Sequence, residues 1–338
     1  MDSPFFSVLI PAYNAAEFLQ FTLNSVYRQS FADLEIIVVD DGSTDNTLEI
    51  LRGQTDKRLR VFTQPNSGVS VTRNRAIREA RGKYVALLDG DDAWSEDHLE
   101  LAARFFSLYP EYVWYLSQAP RCTDINEKDL LRPSNSRGVY TAVNWFLEGA
   151  HIPMCSSCVL KRSALPEGDF FPIGIKMYED NVAFCRMAML HPMIGFLDSP
   201  TARYRIWGGS ATDRFEQSRR GQTGVELNAL MAQQEMHQSS DCLPEARLFF
   251  LYFSYHNWWS RIRAHSMLSW IAEMKLREPV TGKWLTRWLV LFANLSDIFY
   301  RTMGKAVRLR YNAVVKEMAR EAARQRVILG TSAPTGGE

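Results

Sequence analysis

Cysteine is scarce in this chain, and no long apolar run occurs in it. There are 5 cysteines in 338 residues, too few for the dense disulfide framework of small secreted domains, so we expect a reducing compartment. No segment has the roughly 20 uninterrupted apolar residues that a membrane-spanning helix needs. The first residues show neither the basic nor the apolar part of a signal peptide. These absences predict a cytoplasmic protein that meets a membrane, if at all, only at the inner face.

The chain also lacks an excess of positive or negative charge. Its 39 Lys and Arg residues nearly balance 38 Asp and Glu residues, giving a net charge of +1, so no field typical of nucleic-acid binding is expected. Cys155 and Cys158 form one C-x-x-C pair without a second pair at ligand spacing, which favours two small buried residues over a metal or redox site. No G-x-G-x-x-G follows the first apolar run, which disfavours a dinucleotide-dependent dehydrogenase.

What the chain does have is an alternation of short apolar runs and helical patterns. Phe5–Tyr13 and Leu34–Ser43 are typical of buried parallel strands. Between them, apolar residues recur at helical spacing, and two more strand–helix units follow, one with a helix expected to end at Gly82. The alternation predicts an α/β fold with a mostly parallel sheet flanked by helices.

Acidic residues follow two of the predicted strands. Asp40 and Asp41 follow the second strand, and Asp89, Asp91 and Asp92 follow the fourth. Ligands of open α/β sheets bind outside the carboxyl ends of the strands, and clustered carboxylates suit a hard divalent cation. Ordinary turn chemistry explains either acidic motif taken singly, but less readily both motifs at successive strand ends.

The order and spacing of these motifs closely resemble the family 2 glycosyltransferases, which have the Rossmann-like GT-A fold. The resemblance is carried by "SVLIPAYNAAEFLQFTLNSVYRQSFADLEIIVVDDGSTDNT" and "NSGVSVTRNRAIREARGKYVALLDGDD", and it runs from about Phe5 to Ser210. It implies transfer of a sugar, with inversion, from a nucleotide diphosphate donor to a hydroxyl group.

The resemblance also implies roles for individual residues. Asp180 would be the general base and Glu179 its neighbour that orients substrate, although acidic residues are also common in first turns of helices for electrostatic reasons. Asp91 and Asp89 would hold Mn²⁺ or Mg²⁺. The nucleotide-binding residues would be Pro11, Ala12, Tyr13, Asn14, Asp40, Asp41, Asn66, Gly68, Arg73 and Asp89.

The expected donor is a UDP-sugar, and the expected acceptor is a glycan or lipid-linked glycan used in cell-surface polysaccharide synthesis. The enzyme would be a hexosyl- or N-acetylhexosaminyltransferase. A catalytically inactive protein that binds nucleotide-sugars or serves as a scaffold is the alternative. A sugar nucleotidyltransferase is disfavoured because the first strand is followed by Pro-Ala-Tyr-Asn in place of a glycine-rich loop and a lysine.

The sequence departs from the family pattern at two places. Many relatives place a His that completes the metal shell after the base helix, whereas the matching loop here contains Trp207, with Tyr204 and Arg205 as candidate acceptor or phosphate contacts. The Q-x-x-R-W motif of processive relatives is also incomplete, because Gly221 follows Arg220 where Trp is expected. This favours the addition of one sugar per encounter.

The remaining chain is divided by composition. We expect a catalytic domain at 1–212, a helical region at 213–329 and a disordered tail at 330–338. Within the helical region, one helix face carries Trp284 and Trp288 and another carries Arg287 and Arg301. Two interpretations stay open for this helix, namely contact with a membrane interface and packing within the protein or in a homo-oligomer.

Overall fold

The computed structural model describes residues 3–126, 140–145, 155–174 and 179–210, helical positions scattered between 309 and 324, and residues 327–329. The strands are β1 (Phe6–Ala12), β2 (Leu34–Asp40), β3 (Leu59–Thr63), β4 (Tyr84–Leu87), β5 (Ala93–Trp94), β6 (Trp114–Gln118), β7 (Arg121–Cys122), β8 (Tyr140–Asn144), β9 (Cys158–Lys161), β10 (Met193–Pro200), β11 (Ala202–Arg205) and β12 (Val327–Leu329). The helices are α1 (Leu19–Tyr27), α2 (Thr47–Arg52), α3 (Val69–Glu79), α4 (His98–Leu108) and α5 (Glu179–Leu190).

Nine strands form one mixed sheet in the order β12-β8-β10-β6-β9-β4-β1-β2-β3. The predicted α/β architecture is confirmed. The four strands β4, β1, β2 and β3 are parallel, because an intervening stretch of chain returns to the same end of the sheet before each next strand. On the other side of β4 in this nine-stranded sheet, β10 and β6 pair in parallel, and the remaining described pairs are antiparallel.

The core lies on both faces of this sheet. Alternate residues of β1 belong to different apolar clusters, with Val8 and Ile10 in one and Leu9 in the other, as the twofold periodicity of a strand requires. The central strands read as continuous apolar runs because both of their faces are covered. Burial on both sides fixes their register, since a slip of one residue would exchange the two faces.

The register brings three strand ends to one edge of the sheet. Ala12 at the end of β1 pairs with Asp40 at the end of β2, and Leu9 pairs with Leu87 at the end of β4. The residues that follow these strands therefore leave the sheet side by side. The acidic segments after β2 and β4 therefore lie at the same edge of the sheet, on either side of β1.

A small second sheet lies next to this edge. Strand β11 pairs with β5 on one side and with β7 on the other. Because β5 follows directly on the acidic turn after β4, this sheet fastens the turn to the segment that carries Arg205 and Trp207.

Helix α3 ends earlier than its sequence indicated. It stops at Glu79, and Ala80 is already extended, so Gly82 does not terminate the helix. Gly82 instead lies against strand β1, where an added Cβ would be 2.5 Å from the backbone nitrogen of Ser7 and 2.7 Å from the carbonyl carbon of Phe6. Glycine is needed here for close backbone approach.

The end of the chain contributes to the sheet. Strand β12 pairs antiparallel with β8, so the region predicted to be helical also contains a strand; positions between 309 and 324 are helical. The boundary near 212, the Trp- and Arg-bearing segment and the tail lie outside the described residues. Within the part of the chain that is described, no helix combines the length and apolarity needed to cross a bilayer.

Replacing Gly82 by Ala tests the close approach to β1. We expect Gly82→Ala to lower the free energy of unfolding by about 1–3 kcal/mol, because backbone atoms cannot move aside as a flexible side chain can. Urea unfolding followed by circular dichroism measures the change. Gly53→Ala is the matched control, since its Cβ would make only ordinary van der Waals contact, 3.5 Å from the Ile50 carbonyl oxygen; equal losses in both variants would contradict the assignment.

Candidate active site

Asp41 organises the loop between β3 and α3. Its two carboxylate oxygens accept hydrogen bonds from Gln64 Nε2 at 2.8 Å and from the backbone N–H groups of Ser67 at 2.9 Å and Gly68 at 2.8 Å. Gly42 brings the chain so near that an added Cβ would be 2.8 Å from the Asn66 nitrogen. Asp41, Asn66 and Gly68, all predicted to contact a nucleotide, are therefore neighbours.

The segment after β1 lies at the same edge. Asn14 adopts a positive φ of 48°, which asparagine tolerates better than most residues. Its side-chain oxygen accepts the Thr44 N–H at 2.8 Å, and its own N–H donates to Ser43 Oγ at 2.9 Å. Tyr13 next to it is 47% exposed. The turns after β1 and β2 are thus tied together, with an aromatic ring left accessible for stacking.

Buried Asp40 differs from its neighbour Asp41. It lies at the end of β2, only 2% exposed. Its Oδ1 atom is buried and has no hydrogen-bond partner among the described residues. Pro11 and Ala12, which are half-buried and buried, line the neighbouring end of β1. The nucleotide contact predicted for Asp40 stays a prediction.

Arg73 on α3 connects two acidic groups that lie far apart in the sequence. Its Nη2 atom is 2.6 Å from Asp89 Oδ1, and its Nη1 atom is 2.7 Å from Glu179 Oε1. The guanidinium group also lies over the ring of Phe171, 5.2 Å from the centroid. Burial alone would lower the pKa of Arg73, but the charges of Asp89 and Glu179 outweigh it and hold that pKa above its usual value.

Asp180 lies beside this cluster, in the first turn of α5. Its Oδ1 atom accepts the backbone N–H of Asn181 at 2.8 Å. Burial and the charge of Glu179 raise the pKa of Asp180 to about 7, against the opposing effect of Arg73. Asp89 also contributes to this rise, so Asp180 shares the electrostatic environment of the acidic turn after β4. A carboxyl group with such a pKa can exchange a proton near neutral pH.

Asp91 is held by the segment that follows β11. The indole N–H of Trp207 donates to Asp91 Oδ2 at 2.9 Å, and Arg205 Nε donates to the Asp91 carbonyl oxygen at 2.8 Å. Burial and the charge of Asp89 raise the pKa of Asp91, whereas the Trp207 bond lowers it. Arg205, predicted as an acceptor or phosphate contact, is therefore occupied in supporting the acidic turn.

Asp92 is a structural support of the same turn. It is fully buried, and its carboxylate accepts hydrogen bonds from Ser156 Oγ and from the backbone N–H of Arg205. Burial, together with the charges of Asp91 and Asp89, raises the pKa of Asp92 well above its usual value. Ser156 also accepts the Asp89 N–H at 3.1 Å. Asp92 thus fastens the turn to the segment before β9.

The acidic turn suits a divalent cation that is shared with a phosphate group. Asp89 gives one oxygen to Arg73 and Asp91 gives one to Trp207, so each carboxylate has a second oxygen to offer. Mg²⁺ typically takes one or two carboxylates and completes its shell with water and substrate phosphates. Across the described ranges, no group of three or more His, Cys, Asp and Glu residues is placed to hold a metal ion. The residues fit a cation that a diphosphate helps to coordinate, and they do not fit a cation coordinated by protein side chains alone.

Comparison with known proteins agrees with this geometry. Residues 7–168 match the model of glycosyl transferase family 2. The chain carries a family 2 glycosyltransferase domain. It is 45% identical over 105 residues to a putative teichuronic acid biosynthesis glycosyltransferase, TuaG, of Bacillus subtilis, a match that covers 30% of this chain and 42% of that protein. The chain spans less than half the length of the curated relatives that it first matches.

Two solved structures show that the family 2 domain has the GT-A fold. S. aureus TarS 1–349 in complex with UDP-GlcNAc is 21% identical, with a TM-score of 0.66 over 97% of this chain and 98% of that one. A mannosyltransferase from Pyrobaculum calidifontis, PcManGT, in complex with GDP-Man and Mn²⁺ is 17% identical, with a TM-score of 0.53 over 96% and 87% of the two chains. At these identities the likeness establishes the fold alone.

Several supports of the family 2 domain were not anticipated from sequence. Ser156 lies within Cys155–Cys158, where the pattern indicated a strand, and Thr22 Oγ1 donates to the carbonyl oxygens of Gly90 and Asp92 at 3.0 and 2.7 Å. Gln64 was likewise missed. Single Ser, Thr and Gln residues give no sequence signal, because only tertiary contact distinguishes them from surface residues.

Removing Arg73 tests its role in the family 2 domain. We expect Arg73→Met to lower the free energy of unfolding by about 3 kcal/mol, because Asp89 and Glu179 lose their shared cation in a largely buried place. Urea unfolding measures the loss.

The control for this variant is Arg78→Met on the same helix. The Arg78–Asp169 pair is 2.9 Å long, with side chains 59% and 41% exposed, and exposed pairs contribute about 0–1 kcal/mol. Similar losses for the two variants would show that Arg73 does not join the acidic groups as described.

Proposed function

We propose that this protein is an inverting glycosyltransferase that moves a sugar from a nucleotide diphosphate donor to a hydroxyl group of a glycan or lipid-linked glycan. Family membership and fold support the reaction class. The single observation that carries the proposal is the Arg73 bridge, since it holds the acidic turn after β4 and the first turn of α5 in one cluster. This contact supports a base in α5 close to a donor site at the acidic turn.

The donor is proposed to be a UDP-sugar, with a hexose or N-acetylhexosamine as the transferred group. The solved relative of similar fold binds UDP-GlcNAc, and Tyr13, Asp41 and the loop at Asn66–Gly68 supply a ring and polar groups at the edge where a nucleotide binds in open α/β sheets. TuaG, which the chain resembles, is named for teichuronic acid biosynthesis. We therefore place the acceptor in polysaccharide synthesis.

Asp180 is proposed to take the proton of the acceptor hydroxyl. An alcohol is a weak nucleophile, and proton removal during attack commonly contributes about 10²–10⁴ in rate. A carboxylate with a pKa of about 7 is basic enough for this step and is still largely ionised at slightly alkaline pH. Glu179 remains ion-paired with Arg73 at 2.7 Å, so it orients the first turn of α5. A single displacement of this kind inverts the anomeric carbon.

Asp89 and Asp91 are proposed to hold Mn²⁺ or Mg²⁺ together with the diphosphate. The bound cation would neutralise the charge that develops on the leaving nucleotide. Arg73 holds Asp89, and Trp207 holds Asp91. The contact between Asp92 and Ser156 holds the turn that carries both carboxylates. The chain's own contribution is therefore a pair of carboxylates with fixed orientation.

Replacing the base tests the proposal. We expect Asp180→Asn to lower kcat by about 10²–10⁴ because the amide cannot accept the proton, while UDP-GlcNAc affinity stays unchanged. Release of UDP measures turnover, and calorimetry measures binding. Asp169→Asn, an exposed carboxylate changed in the same way, should retain full activity.

Two results would contradict the proposal in different ways. Undiminished turnover by Asp180→Asn would remove the base assignment. A protein that binds UDP-GlcNAc but transfers no sugar to any tested acceptor, and does not hydrolyse the donor, would be the inactive nucleotide-sugar-binding protein considered as the alternative.

The pH dependence tests the same carboxyl group. Because the pKa of Asp180 is raised to about 7, the base is protonated and inactive at lower pH. We expect kcat/KM to fall about tenfold per unit below pH 7, as measured with initial rates across pH 5.5–9. In Asp180→Asn the residual rate should no longer fall below pH 7. If that fall persists in the variant, the titrating group is a residue other than Asp180.

A further inference from the structure

Trp207 makes a contact that the proposed reaction does not use directly. Its indole N–H lies 2.9 Å from Asp91 Oδ2, although the side chain belongs to the loop that follows β11, more than a hundred residues further along the chain. The residue is half-buried. The indole nitrogen, which is the only polar side-chain atom of Trp207, is therefore directed at the Asp91 carboxylate.

Both partners of the Trp207–Asp91 hydrogen bond are held by further contacts. The Trp207 ring packs against Phe18 with centroids 5.0 Å apart, and the Arg205 guanidinium lies 4.6 Å from the Phe18 centroid. Arg205 Nε in turn donates to the Asp91 carbonyl oxygen at 2.8 Å. Because Trp207 packs on Phe18 and Asp91 is bonded to Arg205, which lies over the same ring, the bond between Trp207 and Asp91 has a defined direction.

The chemistry of indole limits what this contact can do. Its N–H is a donor only and offers no lone pair, so Trp207 cannot be a ligand of a cation. By occupying Oδ2, it leaves Asp91 one oxygen directed elsewhere and restricts rotation of the carboxylate. Groups that orient a metal ligand in this way commonly affect metal affinity by about 10- to 100-fold.

We propose that Trp207 is a positioning residue that fixes Asp91 for a divalent cation bound together with the nucleotide diphosphate. This inference rests on the proposed function, because it assumes a cation at Asp89 and Asp91. It adds that the protein alone binds the cation weakly: none of the described side chains completes a cluster of three His, Cys, Asp or Glu ligands there, and phosphate oxygens must supply the missing positions.

The test measures Mn²⁺ binding by electron paramagnetic resonance, with and without UDP. We expect the unaltered protein to bind Mn²⁺ much more tightly when UDP is present. Trp207→Phe and Trp207→Met both remove the N–H donor, and each should weaken Mn²⁺ binding in the presence of UDP by about 10-fold or more. UDP binding in the absence of metal should not change.

The two donor-free variants also separate the hydrogen bond from the aromatic packing, because Trp207→Phe keeps a ring against Phe18 and Trp207→Met does not. Ile206→Ala alters the neighbouring exposed residue and should change nothing. Urea unfolding of each variant establishes that it is folded, and the Phe and Met variants provide two independent donor-free proteins.

The outcomes distinguish this inference from the proposed function. If the unaltered protein binds Mn²⁺ with UDP and the donor-free variants bind it equally well, the role of Trp207 is wrong and the metal site stands. Tight Mn²⁺ binding without UDP would also overturn the inference. If the unaltered protein does not bind Mn²⁺ even with UDP, the metal-dependent part of the proposed function fails and the inference fails with it.

Discussion

One buried cation, the guanidinium of Arg73, determines how the acidic residues of this protein are arranged. Asp89 and Glu179 enter from different elements and would repel each other if brought together alone. Arg73 binds each with one nitrogen, at 2.6 and 2.7 Å, and its planar, permanently charged group suits such double contact. The turn after β4 and the start of α5 are therefore joined by an ion pair that neither segment contains by itself.

The remaining acidic side chains are held by neutral donors. Trp207, Ser156 and backbone N–H groups bind Asp91 and Asp92, and the loop of Gln64 and Ser67 binds Asp41. Such donors fix the direction of each carboxyl group without adding a compensating charge. Burial then raises the pKa values of Asp91, Asp92 and Asp180. These contacts support the proposed cation site and the proposed base beside it.

Much of the fold could be predicted from the sequence, because its periodicity reports burial directly. Continuous apolar runs at β1 and β2 indicated strands covered on both faces, and the motif spacing indicated the family. The antiparallel half of the sheet was less predictable: β8, β9 and β12 are short, and their pairing depends on distant segments. The predicted end of α3 was wrong because glycine commonly terminates helices. Glycine is needed at position 82 for another reason, since a Cβ there would clash with the backbone of Ser7.

The sequence by itself determined the α/β alternation, the acidic segments that follow the strands and the residue types available for chemistry, since each depends on neighbours along the chain. Only the tertiary structure decided that Arg73 joins Asp89 to Glu179, that Arg205 supports the acidic turn and that Trp207 binds Asp91. These contacts span 16 to 116 positions. Their energies depend on burial and on distances of about 3 Å, which sequence spacing does not specify.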